Sequence, residues 1–282
     1  MRHGKYHQQT PVPMWETLLK KGLRGIIQEA EAGIEKVRSG DEPDARKAWF
    51  WQAAKICCEA MIHYSRRYAR LARELSQDET DANRRKELEQ IADICERVPE
   101  YPARTLREAV QSRIIWGMAM KWPRSDTAGD QNGRMDQYFY PYFIQDIRDK
   151  RLTDEEAADL IGTVLSHSAR LDGIRSATLG QASQGTLIIN VMLGGLTPDG
   201  QDANNELTYL VLHMAGLLKY AEPHYTFRIN AGTPRWALLK ALATNRLVGG
   251  GQPQFMSDDH IVSYLVNQGE TLEDARDWAG QG

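Results

Sequence analysis

Three cysteines in 282 residues are too few and too irregularly spaced for a disulfide framework. A reducing compartment, hence a cytoplasmic location, is the default reading. No apolar run approaches the ~18 residues a membrane-spanning helix needs. Met1-Arg2-His3-Gly4-Lys5 has no apolar segment behind it, so no signal peptide is expected. Excess charge is missing as well. Lys and Arg number 35 against 38 Asp and Glu, a net −3, which leaves no electrostatic case for nucleic acid or a membrane surface as partner. The cationic run Arg84-Arg85-Lys86 sits among Asp78, Glu79, Asp81, Glu87 and Glu89 and reads as a solvated helix face. Gly249-Gly250-Gly251-Gln252 lacks the Lys-Ser/Thr of a phosphate loop, which argues against nucleotide binding. His167, His213 and His260 are too scattered to suggest a metal site. Neither a fixed-period repeat nor a low-complexity tract is evident.

What is there is an ordinary globular composition, 41% hydrophobic and 26% charged, in a chain with ample length for a buried core. The first 120 residues read as helical. After the start signal Asp41-Glu42-Pro43, the residues Trp49, Ala53, Ile56, Ala60, Met61, Tyr64, Tyr68, Leu71 and Leu75 recur at three- and four-residue spacing. They predict one long amphipathic helix with that stripe as its apolar face. A second helix is expected over 83–98, with Leu88, Ile91, Ala92 and Cys95 on one face and Pro99 and Pro102 as its stop. A third is expected over 105–120, striped by Leu106, Ala109, Val110, Ile114 and Met118. Cys57-Cys58 falls mid-helix with nothing activating nearby and, like Cys95, reads as buried structural cysteine.

Segment 124–133 is polar and glycine-bearing, a loop by composition. Beyond it helices alternate with short strands. Thr153-Asp154-Glu155-Glu156 has capping-box form and opens a helix to about residue 167. Leu187 to Leu193 is a near-continuous apolar run closed by Gly194-Gly195, as in a strand buried on both faces. Strands are also expected over His224–Asn230 and Pro253–Met256, with helices over 206–220, 234–247, 261–267 and 272–278 between and after them. Such alternation implies parallel strands joined by right-handed crossovers. The fold class is α/β: a helical N-terminal layer over 1–123, then part of an α/β barrel over 124–282.

Several polar residues could serve chemistry or merely structure. Arg228 and Asn230 share one face of their strand by alternation, with Phe227 and Ile229 opposite. Arg228 could meet a carboxylate in a pocket or close a salt bridge at the strand end. Ser257-Asp258-Asp259 reads first as a helix N-cap. Gln131 and Asn132 either face a pocket or cap their loop. Arg134 and Asp136 read as charge-assisted pairing that fixes the loop to the barrel, Gly133 as relief of a backbone constraint, and Tyr138, Tyr140, Tyr142 and Phe143 as packing.

Two blocks carry a resemblance. Gly133-Arg134-Met135-Asp136-Gln137-Tyr138-Phe139-Tyr140-Pro141-Tyr142 and the closing Asp274-Ala275-Arg276-Asp277-Trp278 resemble the large catalytic subunit of the glycyl radical enzymes, the pyruvate formate-lyase superfamily. Further blocks follow in family order, among them Arg67-Tyr68-Ala69-Arg70-Leu71-Ala72, Cys95-Glu96-Arg97-Val98-Pro99, Gly194-Gly195 and Asn205-Glu206-Leu207-Thr208-Tyr209. The resemblance implies a ten-stranded barrel of two half-barrels, of which this chain supplies roughly one. It implies that the catalytic cysteine follows directly after Gly282 and that the radical glycine lies in a C-terminal block not present here. Residues 1–282 alone are therefore expected to be inactive, with no catalytic residue and no cofactor or metal bound by this chain.

For the intact enzyme the resemblance implies a glycyl radical installed by an iron–sulfur S-adenosylmethionine activase, a thiyl radical on the cysteine, a small organic acid or alcohol as substrate, and a homodimer. Gln131, Asn132, Arg228 and Asn230 are its candidate pocket residues, and Gly133, Arg134, Asp136 and Gln137 its structural motif. Many members carry a serine in a Ser-x-Gly-Arg arrangement where this chain has Asp130-Gln131-Asn132-Gly133-Arg134. That departure weakens an eliminase such as a diol dehydratase. A formate acetyltransferase, an arylacetate decarboxylase, a fumarate-adding hydrocarbon synthase and a non-catalytic scaffold of the same ancestry stay open.

Overall fold

The computed structural model describes residues 12–121, 131–170 and 189–279. Residues 14–119 form one compact unit, and the described residues beyond them form a second together with 12 and 13.

The first unit is helical: α1 (Trp15–Ser39), α2 (Arg46–Asp78), α3 (Ala82–Arg97) and α4 (Leu106–Lys121). α1 is interrupted at Gly22, whose φ of 64° and ψ of 171° lie outside the helical region. The break frees two amides, and Leu23 and Arg24 donate theirs to the carbonyls of Pro99 and Glu100. The chain at 99–101 passes so close that a Cβ on residue 22 would stand 2.5 Å from the Tyr101 carbonyl carbon. Below that crossing the buried Glu100 carboxylate accepts from Arg24 and, at 2.6 Å, from Arg66.

α2 forms where periodicity placed it, but on a different face. Trp49, Ile56, Tyr68, Leu71 and Leu75 are exposed, and Met61 alone of the expected stripe is buried. The buried face is Cys58, Met61, Ile62, Ser65, Ala69, Ala72 and Ser76. Small residues dominate it because α1 and α3 pack there, and Ser65 reaches the carbonyls of Cys95 and Val98 at 2.7 and 2.8 Å. Cys57, expected to be buried, is exposed, whereas Cys58 and Cys95 are buried. α3 is capped by the Asp81 carboxylate, which accepts from the amides of Asn83 and Arg84.

The second unit carries α5 (Met135–Tyr138), α6 (Tyr140–Arg148), α7 (Asp154–Arg170), β1 (Asn190–Gly194), α8 (Glu206–Leu218), β2 (His224–Ile229), α9 (Arg235–Val248), β3 (Gln254–Ser257), α10 (Asp258–Asn267) and α11 (Leu272–Arg276). The strands form one parallel sheet in the order β1-β2-β3. Thr226 lies opposite Met192 on one side and Gln254 on the other. β3 starts at Gln254 because Pro253 has no N–H to give a ladder. The part of the first expected strand at 187 and 188 lies outside the described residues.

Residues 131–133 run alongside the free edge of β1. The Asn132 amide donates to the Asn190 carbonyl and the Met192 amide to the Gly133 carbonyl, with Gly133 bridging Val191 in parallel. Alternation puts Asn190, Met192, Thr226, Arg228 and Gln254 on one face and Val191, Leu193, Tyr225, Phe227 and Phe255 on the other. Helix α8 packs between α7 and α9, and the Thr153 hydroxyl and the Glu156 carboxylate close the expected capping box at the start of α7. The architecture is α/β, a helical region followed by part of a barrel.

Candidate active site

The block at 133–137 is tied to the sheet by side chains that the backbone could not replace. Asp136, fully buried, accepts from the Gly194 amide at 2.8 Å and from the Thr208 hydroxyl at 2.7 Å. Asn205, the N-cap of α8, donates to the Asp136 carbonyl. Gln137 donates to the carbonyl of Ala203 at 2.9 Å. One carboxylate thus joins the end of β1, the start of α8 and α5. Burial raises the Asp136 pKa, while the charge of Arg134 and these hydrogen bonds oppose the rise.

A charged layer covers the C-terminal ends of β1 and β2. Arg228 has no exposure; its Nε donates to Asp258 Oδ1 at 2.6 Å, and its Nη1 and Nη2 donate to the carbonyls of Trp278 and Arg276, both at 2.9 Å. Arg134, also buried, spans Asp277 Oδ1 at 2.6 Å and the Gly194 carbonyl at 2.8 Å. Gly195 makes room for this: at φ 83°, a Cβ there would stand 2.8 Å from Arg228 Nε. Asp258 was expected to cap α10. Instead its carboxylate is wholly buried against Arg228, and burial lifts its pKa despite that partner. Ser257, the residue in the cap position, makes no side-chain cap bond. Asn230 holds a turn, donating to the Gly195 carbonyl at 3.2 Å and accepting from the Gly232 amide at 2.8 Å.

Gln131 and Asn132 belong to a second, amide-rich layer nearer the start of the strands. Gln131 Oε1 accepts from the Asn190 amide at 2.6 Å, and Asn132 exchanges hydrogen bonds with Ser168 at 3.3 and 3.4 Å. Asn190, Thr226 and Gln254 continue the row across the sheet through side-chain bonds of 3.2 Å. Asn190 and Gly194 are four residues apart on β1, so the two layers are separated by about 13 Å along the strand. The four candidate pocket residues therefore divide: Gln131 and Asn132 in the amide layer, Arg228 and Asn230 in the charged one. Gly133 connects them, because a Cβ on it would meet Ala279 at 3.6 Å, beside the turn that Arg228 and Arg134 hold.

Sequence reasoning missed Asp258 as the partner of Arg228, the role of Asp277, and the row Asn190-Thr226-Gln254. The last was readable in principle, since each is a polar residue at an alternating position of an otherwise apolar strand. No group of three His, Cys, Asp or Glu among the described residues could hold a metal ion, and no described helix is long and apolar enough to cross a membrane.

This fold and site define a class. The chain belongs to the pyruvate formate lyase-like family, whose profile matches residues 3–282. It is similar to the isethionate sulfite-lyase of Nitratidesulfovibrio vulgaris, 35% identical over 274 residues that cover 95% of this chain and 33% of that protein. Among solved structures, a glycyl radical enzyme from Archaeoglobus fulgidus aligns at TM-score 0.88 and 32% identity, over 96% of this chain and 35% of that one. A Roseburia inulinivorans structure described for 1,2-propanediol dehydration aligns at TM-score 0.89 and 31% identity, over 96% and 32%. The relatives are enzymes, lyases and dehydratases by name. The chain spans about a third of the length of these relatives.

Proposed function

We propose that residues 131–279 build one wall of the substrate pocket, and the anchorage of the cysteine loop, in a glycyl radical lyase that eliminates a small leaving group from a small polar organic molecule. The observation that carries this reading is the convergence of the 276–279 turn on Gly133 and on the C-terminal ends of β1 and β2. Ligands of open parallel sheets gather at that end of the strands. The reaction class is supported by the relatives, whose names give sulfite release from isethionate and dehydration of 1,2-propanediol. A glycyl radical, once installed, would supply the hydrogen abstraction.

The residues of this chain hold, orient and exclude water. Arg134 and Arg228 fix the turn, Asp136 fixes the loop against β1, and Gln131 and Asn132 set the polar lining. In this reading the missing serine before Gly133-Arg134 does not exclude elimination, because two buried amides supply hydrogen-bonding groups at that place. The partners of the intact enzyme are the radical S-adenosylmethionine activase, the small-molecule substrate and a second copy of the enzyme.

The test is anaerobic activation of the protein extended by its natural continuation past Gly282, read by electron paramagnetic resonance. A glycyl-type doublet, followed by release of sulfite or dehydration of a diol, is the expected result. Residues 1–282 alone should give no doublet. A doublet from that piece, or no doublet from the extended protein with an activase proven on another substrate enzyme, overturns the reading.

A further inference from the structure

Arg228 and Arg134 are odd investments for a strand end. Burying a guanidinium is costly unless its donors are met in good geometry. Here the donors are spent on one short stretch of backbone. Two nitrogens of Arg228 hold the carbonyls of Arg276 and Trp278 at 2.9 Å, and Arg134 takes Asp277 Oδ1, the residue between them, at 2.6 Å. The third bonded nitrogen of Arg228 is fixed by Asp258 at 2.6 Å, so the fork cannot rotate. The other arm of Arg134 is anchored on the Gly194 carbonyl at 2.8 Å. On the outer side, Arg276 extends its own guanidinium to the Pro198 carbonyl at 3.1 Å, over Gly200, where a Cβ would stand 2.9 Å from its Cζ.

A five-residue helix, α11, ends in this turn and has little packing of its own: of its residues, Ala275 alone is buried. Apolar burial by α11 is therefore slight. Trp278 and Ala279 in the turn are part-buried, but the guanidinium bonds are what hold its backbone directly.

We propose that Arg228, oriented by Asp258, and Arg134 form a two-guanidinium clamp that sets the position of residues 276–279, and that they are positioning residues for the cysteine loop that this turn leads into. The part about the loop rests on the function proposed above; the clamp itself does not. A planar fork with several fixed donors can hold two carbonyls and a carboxylate at once, which a lysine ammonium cannot. Near-attack chemistry depends on placement within about an ångström, where misplacement costs on the order of 100-fold in rate.

Two measurements separate the claims. In residues 1–282, amide hydrogen exchange is followed at 277–279 and at β2 in Arg228→Lys and in Asp277→Asn. The second variant alters a half-exposed carboxylate and should fold normally. Exchange at 277–279 is expected to rise about 10-fold or more in Arg228→Lys, and less in Asp277→Asn, while β2 keeps its protection. Unchanged exchange at 277–279 in Asp277→Asn and in a folded Arg228→Lys overturns the clamp. In the extended, activated enzyme, Arg228→Lys is expected to lower kcat about 100-fold with KM and glycyl radical content near wild type. A merely structural role would lower radical content and turnover together, and that result rejects the positioning role. If wild-type enzyme yields no glycyl radical, the functional reading falls, and the clamp is judged by exchange alone.

Discussion

At the scale of single residues, environment decides what side chains of the same type can do. Cys57 and Cys58 are neighbours, yet Cys57 is exposed while burial pushes the Cys58 thiol up to about 11, as it does that of Cys95. The thiolate is the reactive species, so at pH 8 only about one in a thousand buried thiols would be ionised. Mapped by mass spectrometry, alkylation at pH 8 should mark Cys57 first and leave Cys58 and Cys95 until the chain unfolds. Equal labelling of Cys57 and Cys58 would refute this. With folded pKa values raised above the unfolded ones, the two buried thiols stabilise the fold fully below pH about 9, and that contribution is lost as pH climbs through about 11.

Gln131 and Asn132 make the complementary case. The sequence left them open between pocket and cap, because their partners, Asn190 and Ser168, lie 59 and 36 residues away. In the extended enzyme, Gln131→Ala or Asn132→Ala should raise KM or lower kcat, since a lost buried hydrogen bond costs about 1 to 3 kcal/mol. Wild-type turnover in both, with normal folding, would make this layer purely structural.

At the scale of elements, legibility tracked how local the determining interactions are. The three strands could be read because an apolar run, or a two-residue alternation, is written in consecutive positions, and so were the proline stop of α3 and the capping box of α7. α2 could be read as a helix but not as an oriented one, since large apolar residues lie on the side that is exposed and small ones on the side that packs. The Arg228–Asp258 pair was illegible for a similar reason: it depends on the register of β2 against β3, which no local spacing fixes. Gly22 shows a case between these extremes. A glycine in a helical stretch suggests a weak point, but not that the chain at 99–101 crosses there. Alanine at Gly22 would meet both a forbidden φ and the backbone of Tyr101, whereas alanine at Gly40, with φ 85° and nothing within 4 Å, would meet the φ penalty alone. Chemical denaturation should show Gly40→Ala costing about 1 kcal/mol and Gly22→Ala about 3 kcal/mol or more. Equal losses would mean that the 99–101 crossing yields freely.

At the scale of the whole molecule, the outstanding physical fact is an apolar stripe on α2 that no described residue covers. Trp49 is 81% exposed, and Ile56, Leu71 and Leu75 are each about half exposed, at 55%, 48% and 50%. Successive members are separated by seven, four or other helix-face intervals, so they line one side of α2. A fully buried leucine or isoleucine side chain gains roughly 1.5 to 3 kcal/mol relative to an exposed one, so covering these half-exposed residues would gain about 1 kcal/mol apiece. Contiguous apolar surface of this kind promotes association. Residues 1–282 on their own should therefore self-associate, with the weight-average mass in sedimentation equilibrium rising as concentration rises. Leu71→Glu with Leu75→Lys replaces part of the stripe by a favourably ordered i,i+4 ion pair, on a face that packs against nothing among the described residues. That double variant should stay monomeric at concentrations where the parent associates, with unchanged helical circular dichroism and unfolding midpoint. A parent that is already monomeric, or a double variant that unfolds, would show that the stripe is not the exposed, unpartnered surface its geometry indicates.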